Sequence, residues 1–326
     1  ATTRSGCGCD RRTREIWSIR MHSVFSALSP WNEIRRQLAA MLHDPIRGAR
    51  FLPKMELLSA EIIRRIDQDT DGALFAVMQF DQSDYGVSHS LQSAVICDVY
   101  GMPLNWNSQE RLSAIGAGLT MNIAMLDLQR QLHQQREPPT SQQREAIRSH
   151  PVRGRDLLES LGLRDGLWLR VIVEHHESAD GTGYPTGTTV PVPMAVALSL
   201  SDRYCAMMSR RRYRAALAPD TAIHELYQMN SGKARESIDR MVQAVGLYPP
   251  GTFVELANGE SAVVATRGGP QNTPRVYSLL SAQLSELKPT ARDTAQPDFA
   301  IQGTAGPISM GATARLPLLV AQAGRA

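Results

Sequence analysis

The residues best suited to chemistry lie in HHESADGTGYPTG, residues 175–187. Two adjacent imidazoles and a carboxylate close an apolar run, and a glycine-rich loop follows. Imidazole is the commonest protein metal ligand, so His175 and His176, followed by Glu177 and Asp180, invite an ion. In the preceding run Trp168, Val171, Ile172, His175 and His176 recur at i, i+3, i+4, i+7 and i+8, which places both histidines on or beside the inward face of a helix. Asp180-Gly181 and Gly183 give the loop the backbone freedom of a reversal. Pro185 restricts Tyr184, so the tyrosine ring takes a set direction. The loop is either a plain turn between helices or a recognition surface built from Glu177, Asp180, Gly181, Gly183, Tyr184 and Pro185.

Other candidates lie apart in the chain. Asp202 shares a helical face with Met194, Leu198, Ser201, Cys205 and Met208. A carboxylate on such an apolar stripe is costly unless a metal, an arginine or a histidine meets it. His89 sits before LQSAVI, and His150 before Pro151 at an apparent break; each alone is as well explained by structure as by chemistry. Arg210, Arg211, Arg212 and Arg214 offer donors to phosphate oxygens, or make a solvated helix end. Cysteines at 7, 9, 97 and 205 form no plausible disulfide framework, and Cys7 with Cys9 lacks the second pair a structural metal site needs.

These side chains need helices to hold them. Ser29-Pro30 reads as a helix start, with Ile34, Leu38, Met41 and Leu42 at helical spacing after it. Met55, Leu58, Ile62 and Ile66 mark a second helix, which Asp71-Gly72 interrupts. The spacing predicts further helices around 90–100, 111–128, 141–161, 166–177, 191–209 and 219–245. At Tyr248-Pro249-Pro250-Gly251 the pattern changes. TFVELANGESAVVATR alternates on both sides of Asn258-Gly259, a hairpin signal, and VYSLL at 276–280 supplies a third strand. The expected organisation is a disordered leader at 1–20, N-terminal helices at 21–75, a helical domain at 76–246, a small β appendage at 251–286 and a flexible tail at 287–326. The N-terminal helices read as packing or dimerisation elements, the latter implying a homodimer.

With 326 residues the chain can bury a large core, and a net charge of +3 is too small to make nucleic acid its main partner. No apolar run reaches the roughly 18 residues that a membrane span requires. The arginine-rich start has no apolar stretch like that of a secretory signal, so a cytoplasmic protein is expected.

Taken together, the residues resemble those of an HD-GYP domain. HHExxDGxGYP matches at every fixed position from His175 to Pro185. His89 matches the family's early histidine, His150-Pro151 its HP pair, Asp202 the first aspartate of its late helix, and Arg211, Tyr213 and Arg214 its R-x-Y-R tail. The resemblance covers about residues 76 to 246. It implies an HD-type helical bundle, mostly α, with a bi- or trinuclear iron or manganese site that hydrolyses cyclic-di-GMP, and it links the GYP loop to diguanylate cyclase domains.

The departures concern HDxGK, the motif that names the family. Here GLTMNIAMLDLQ aligns Met121 and Asn122 with the His-Asp pair, Ala124 with the glycine and Met125 with the lysine, while Cys205 stands at a second aspartate. Asp127 lies five residues past Asn122, about 140° around a helix, and cannot take over the same vertex. Two dications ~3.5–4 Å apart need an anionic bridge. Asn122 has no charge, and the thioether of Met121 is a poor ligand for Mn²⁺ or Fe²⁺. The surviving set is His89, His150, His175, His176 and Asp202; of these, His150, His175 and His176 could hold one Fe or Mn ion with water, or no ion remains. Three functions stay open. A degenerate domain would bind cyclic-di-GMP, a related nucleotide or a partner protein. An unusual phosphodiesterase would recruit a further carboxylate, for instance Asp81 or Asp84. A scaffold like the related HDOD domains would need neither metal nor nucleotide.

Overall fold

A computed structural model of the chain describes residues 30–305, apart from short segments at 47–49, 82, 213, 231, 269–272 and 283–285. Helix α1 (30–43) buries Ile34, Leu38 and Leu42 and half-buries Met41, and α2 (Phe51–Gln68) buries Met55, Leu58, Ile62 and Ile66, the residues their spacing selects. The interruption expected at Asp71-Gly72 falls slightly earlier: α2 ends at Gln68, and Asp71-Gly72 lie in the first turn of α3 (Thr70–Met78). The Asp69 side chain caps it, accepting from the Gly72 amide at 2.8 Å. A Cβ on Gly72 would stand 2.2 Å from Asp69 Oδ2, so a larger residue there would make the capping carboxylate shift.

Helix α4 (Tyr85–Gly101) is buried along its whole length and forms the axis of the bundle. It packs closely on α5 (Ser108–Thr120), where a Cβ on Gly118 would lie 2.8 Å from Ala94 Cα. The remaining helices are α6 (Leu126–Gln134), α7 (Ser141–Ser160), α8 (Gly166–Glu174), α9 (Pro193–Met208), α10 (Pro219–Gln228) and α11 (Lys233–Val245). One continuous core runs from Trp31 to Val245, so α1 and α2 pack into the same body as the helices after residue 76, and no packing boundary falls near residue 75.

Three expectations about the helices are corrected. The single helix expected over 111–128 breaks after Thr120. Asn122 adopts turn geometry (φ −104°, ψ 11°), its carbonyl accepts from the Met125 amide at 2.9 Å, and a short 3₁₀ turn leads into α6. Asp127 therefore belongs to a different helix from Met121, and its exposed carboxylate pairs with Arg130 at 3.1 Å. The helix expected over 219–245 is two, separated at Gly232, whose φ of +55° suits glycine. His150-Pro151 is no break: both lie inside α7, buried.

The β unit has five antiparallel strands in the order β4-β3-β2-β1-β5: β1 (Phe253–Leu256), β2 (Ser261–Thr266), β3 (Arg275–Leu280), β4 (Glu286–Asp293) and β5 (Ile301–Thr304). The Asn258-Gly259 turn pairs Val254 with Ala262 as the alternation predicts. The stretch from 287, expected as flexible tail, instead supplies most of β4 and all of β5. Phe299 and Ile301 pack on Val254, Leu256 and Val264, and β5 covers the free edge of β1. Its proline, glycine and threonine content hides those two apolar anchors. The leader and the rest of the expected tail lie outside the described residues. Phe75 of α3 packs against Val263 and Leu279 of the sheet, and Arg267 spans the seam to Asp71 at 2.6 Å. Among the described residues no helix is long and apolar enough to cross a membrane.

Candidate metal centre

Four helices deliver the candidate ligands: His89 from α4, His150 from α7, His175 and His176 from the C-terminal end of α8, and Asp202 from α9. They separate into two sets. His150, His175 and His176 place one ligand atom each within 4.8 Å of the others, an all-histidine cluster. His89 Nε2 donates instead to Asp202 Oδ1 at 2.7 Å.

The hydrogen bonds of the cluster settle its tautomers. A carbonyl can only accept, so His150 Nδ1–H donates to Ile147 O at 2.5 Å and His175 Nδ1–H to Ile172 O at 2.6 Å. Each bond runs back one turn to the ring's own helix, and each leaves Nε2 as a bare lone pair. Those two Nε2 atoms stand 3.4 Å apart. Burial, then the neighbouring His175, pushes the His150 pKa down to about 3; burial also lowers His175, and lowers His176 well below its usual value. With neither ring protonated on Nε2, the 3.4 Å contact is no hydrogen bond but an approach of two unprotonated nitrogens. Two nitrogens ~2.1 Å from one ion at a tetrahedral angle lie about 3.4 Å apart. The residues present therefore fit a single transition-metal ion.

Burial would raise the Asp202 carboxyl, but the hydrogen bond and charge of His89 outweigh it and hold it well below the usual carboxylate range. It is the anionic group beside the cluster. Cys205, on the same helix, offers no second anion, because burial pushes its thiol far up. Met121 and Asn122 are fully buried, and Asn122 Oδ1 has no hydrogen-bond partner.

The loop after the histidines is held from within. Glu177 Oε1 accepts from Thr186 N at 2.6 Å, Thr186 Oγ1 at 2.8 Å and Gly187 N at 3.1 Å, clasping both ends of the reversal. Asp180 Oδ1 accepts from Thr182 N at 2.9 Å. Gly181 has φ +75°, and a Cβ on Gly183 would meet Glu177 Cα at 2.5 Å and His176 O at 2.6 Å. Tyr184 does take a set direction, inward: its ring stacks on His176 with centroids 4.7 Å apart. Glu177, Asp180, Gly181 and Gly183 thus build the loop, and the tyrosine ring before Pro185 covers the His176 imidazole. Arg214 Nη2 caps α9 through Ala206 O at 2.6 Å, and Arg211 Nη2 donates to Tyr85 Oη at 3.4 Å.

Some residues beside the site carry no sequence signal of their own. Tyr85 stacks on His89 at 5.2 Å and on His133 at 4.7 Å; its place one helical turn before His89 was the available clue. Arg148 lies over Tyr184, its Cζ 5.1 Å from the ring centroid.

The HD domain family model matches residues 77–240, about half of the chain. The chain belongs to the HD domain family. Its HHExxDGxGYP loop and histidine order make this an HD domain of the HD-GYP type. It is similar to a cyclic di-GMP phosphodiesterase of Pseudomonas aeruginosa, 27% identical over 75% of this chain and 59% of the relative. It also resembles the cyclic di-GMP phosphodiesterase PdeB of Borreliella burgdorferi, 21% identical over 56% of this chain and 48% of the relative. A 3'3'-cGAMP-specific phosphodiesterase of Vibrio cholerae is 27% identical over 44% of this chain and 31% of the relative. The chain thus spans between about a third and three-fifths of the length of these relatives. Among solved structures, an HDG"Y"P protein of Bdellovibrio bacteriovorus shares the fold, with a TM-score of 0.54 at 15% identity over 74% of each chain.

Proposed function

We propose that this HD domain works in cyclic-dinucleotide signalling as a binding module, holding one iron or manganese ion on His150, His175 and His176 and binding cyclic-di-GMP or a close relative without efficient turnover. The observation that carries this reading is the all-histidine composition of the cluster, with Asp202 already bonded to His89. When bound, the ion supplies a Lewis acid for a phosphate oxygen. The rest falls to the protein. His150 and His175 keep their Nε2 lone pairs unprotonated through their carbonyl bonds. Tyr184 covers His176, and the Glu177 clasp fixes that cover. The two side chains aligned with the family's further aspartates bring no anion: Cys205 is a buried thiol whose burial disfavours its thiolate, and Asn122 is an uncharged amide.

The phosphodiesterase reading keeps one specific support, the buried Asn122 Oδ1 without a partner, an acceptor free for a ligand. Purified protein, loaded anaerobically with Fe²⁺ or Mn²⁺, separates the readings in a cyclic-di-GMP hydrolysis and binding assay. Binding without multiple turnovers is expected, with metal content near one ion per chain that falls below a tenth in His175→Ala. Sustained product formation, abolished by that substitution, would replace the binding reading with catalysis. No binding and no turnover would favour a protein partner, such as a diguanylate cyclase domain, docking on the 180–190 loop, or an HDOD-like scaffold.

A further inference from the structure

We infer that the cleft between the β unit and the helical body is a second binding site, shaped for a small uncharged molecule, one ring in size, that carries an amide. The cleft shares no residue with the histidine cluster, so the inference stands apart from the nucleotide reading above.

The cleft has a volume of about 260 Å³. Met78 and Phe80 at the end of α3, Gln92 of α4 and Met208 at the end of α9 form its helical side. Thr252 and Phe253, where β1 begins, close it from the sheet. An apolar cavity of about 150 Å³ already holds benzene, so a substituted ring fits here. Among the described residues no charged side chain lines the cleft, and a phosphate or carboxylate would find no cation in it. That separates its ligand from a cyclic dinucleotide.

Two polar side chains in these walls lack good partners. Gln92 is buried, and its Nε2 donates to Met78 Sδ at 3.5 Å, a weak acceptor. Among the described residues its Oε1 accepts no hydrogen bond. Thr252 is buried too, and its Oγ1 has no partner. The Thr252 backbone is engaged on both sides: its N–H donates to Pro249 O at 3.0 Å, and its carbonyl accepts from Val264 N at 2.9 Å. Only the side chain is left over. A buried polar group without a partner is destabilising until a ligand or a water meets it. Apolar walls with a few convergent polar groups are the make-up of a small-molecule pocket, and such pockets concentrate where two packed units meet. A carboxamide answers this one: its carbonyl accepts from Gln92 Nε2, and its N–H groups donate to Gln92 Oε1. The thioethers of Met78 and Met208 adapt to the ring.

The probe is benzamide, with toluene as the ring without an amide and benzoate as the charged counterpart, each added to the full chain. A ligand of this size should bind with a dissociation constant of about 1 mM, so benzamide at about 10 mM should raise the thermal midpoint by about 3 °C. Toluene should bind about fivefold more weakly, and benzoate should give no shift. Gln92→Leu should erase the preference for benzamide over toluene. Thr252→Val should leave the midpoint of the free protein unchanged or higher, because the hydroxyl it removes had no partner, and should weaken benzamide about fivefold. Ala218→Leu puts a larger side chain into the cleft lining and should abolish the shift with both neutral probes. If Gln92→Leu does not fold, Thr252→Val and Ala218→Leu decide. No shift with benzamide would overturn the inference and leave the cleft to water. An equal shift in the parent and in Ala218→Leu would overturn it as well, by placing the probe elsewhere.

Discussion

At the scale of single residues, the site depends on which atom of each side chain is already committed. His150 and His175 spend Nδ1 on backbone carbonyls, and that leaves Nε2 for an ion. Glu177 spends Oε1 on two amides and a hydroxyl across the loop. Glu177→Ala would take the charged acceptor from the amides of exposed Thr186 and half-buried Gly187, at a cost of about 1–3 kcal/mol, while Glu177→Gln keeps an acceptor and costs about 1 kcal/mol. Urea unfolding checks the first figure, and limited proteolysis between residues 177 and 190 checks its location. An alanine variant as stable and as protease-resistant as the parent would show that the clasp does not hold the loop. The clustering of His175 and His176 was legible in the sequence because the two are contiguous and periodicity turns them inward. The clasp was not legible, since its acceptor and donors stand nine and ten residues apart with no repeating pattern to link them.

At the scale of elements, apolar spacing foretold the helices whose buried stripe is regular, and α2 buries the very residues its pattern names. It failed where a polar residue decides the geometry. Thr120 receives the Trp168 indole N–H at 2.9 Å, Asn122 turns the chain, and the expected long helix becomes α5, a 3₁₀ turn and α6. The sheet shows the same limit. Its hairpin was readable from Asn258-Gly259, but β4 and β5 were not, because a polar contact helps tie β4 in. Glu260, in the turn before β2, accepts from Arg292 of β4 at 2.8 and 2.9 Å and from Ser278 of β3. The hydrogen bond from Arg292, more than any other influence, holds the Glu260 carboxyl down at about 2, against an ordinary 4.5. A lowered carboxyl stabilises the fold fully above its unfolded value and loses that contribution as pH falls from about 4.5 toward 2. Glu260→Gln should therefore lower the thermal midpoint at pH 7, and the gap to the parent should close as pH falls through that window. A gap that stays constant with pH would mean that the carboxylate charge plays no part in pinning the strands.

At the scale of the whole molecule, the question is whether the sheet and the helical body fold as one. The seam is narrow: Phe75 against Val263 and Leu279, Gln79 Nε2 to Gly251 O at 3.0 Å, and Arg267. Arg267 is its strongest polar tie, donating Nε to Asp71 at 2.6 Å and Nη1 to Ala244 O at 2.7 Å, so one side chain joins the end of β2 to both α3 and α11. Arg267→Met keeps much of the stem packing and removes both bonds. It leaves Asp71 without its cation and the Ala244 carbonyl without that donor, at about 1–3 kcal/mol. The candidate ligands all lie on α4, α7, α8 and α9, none of which carries these contacts. Metal content and nucleotide affinity should therefore stay unchanged in this variant while unfolding becomes less cooperative, with the sheet melting first. Calorimetry resolving two transitions in Arg267→Met and one in the parent is the expected result. A parallel loss of metal or nucleotide binding would mean instead that the sheet and the histidine cluster are coupled through α3 and α4, and that the β unit regulates the site.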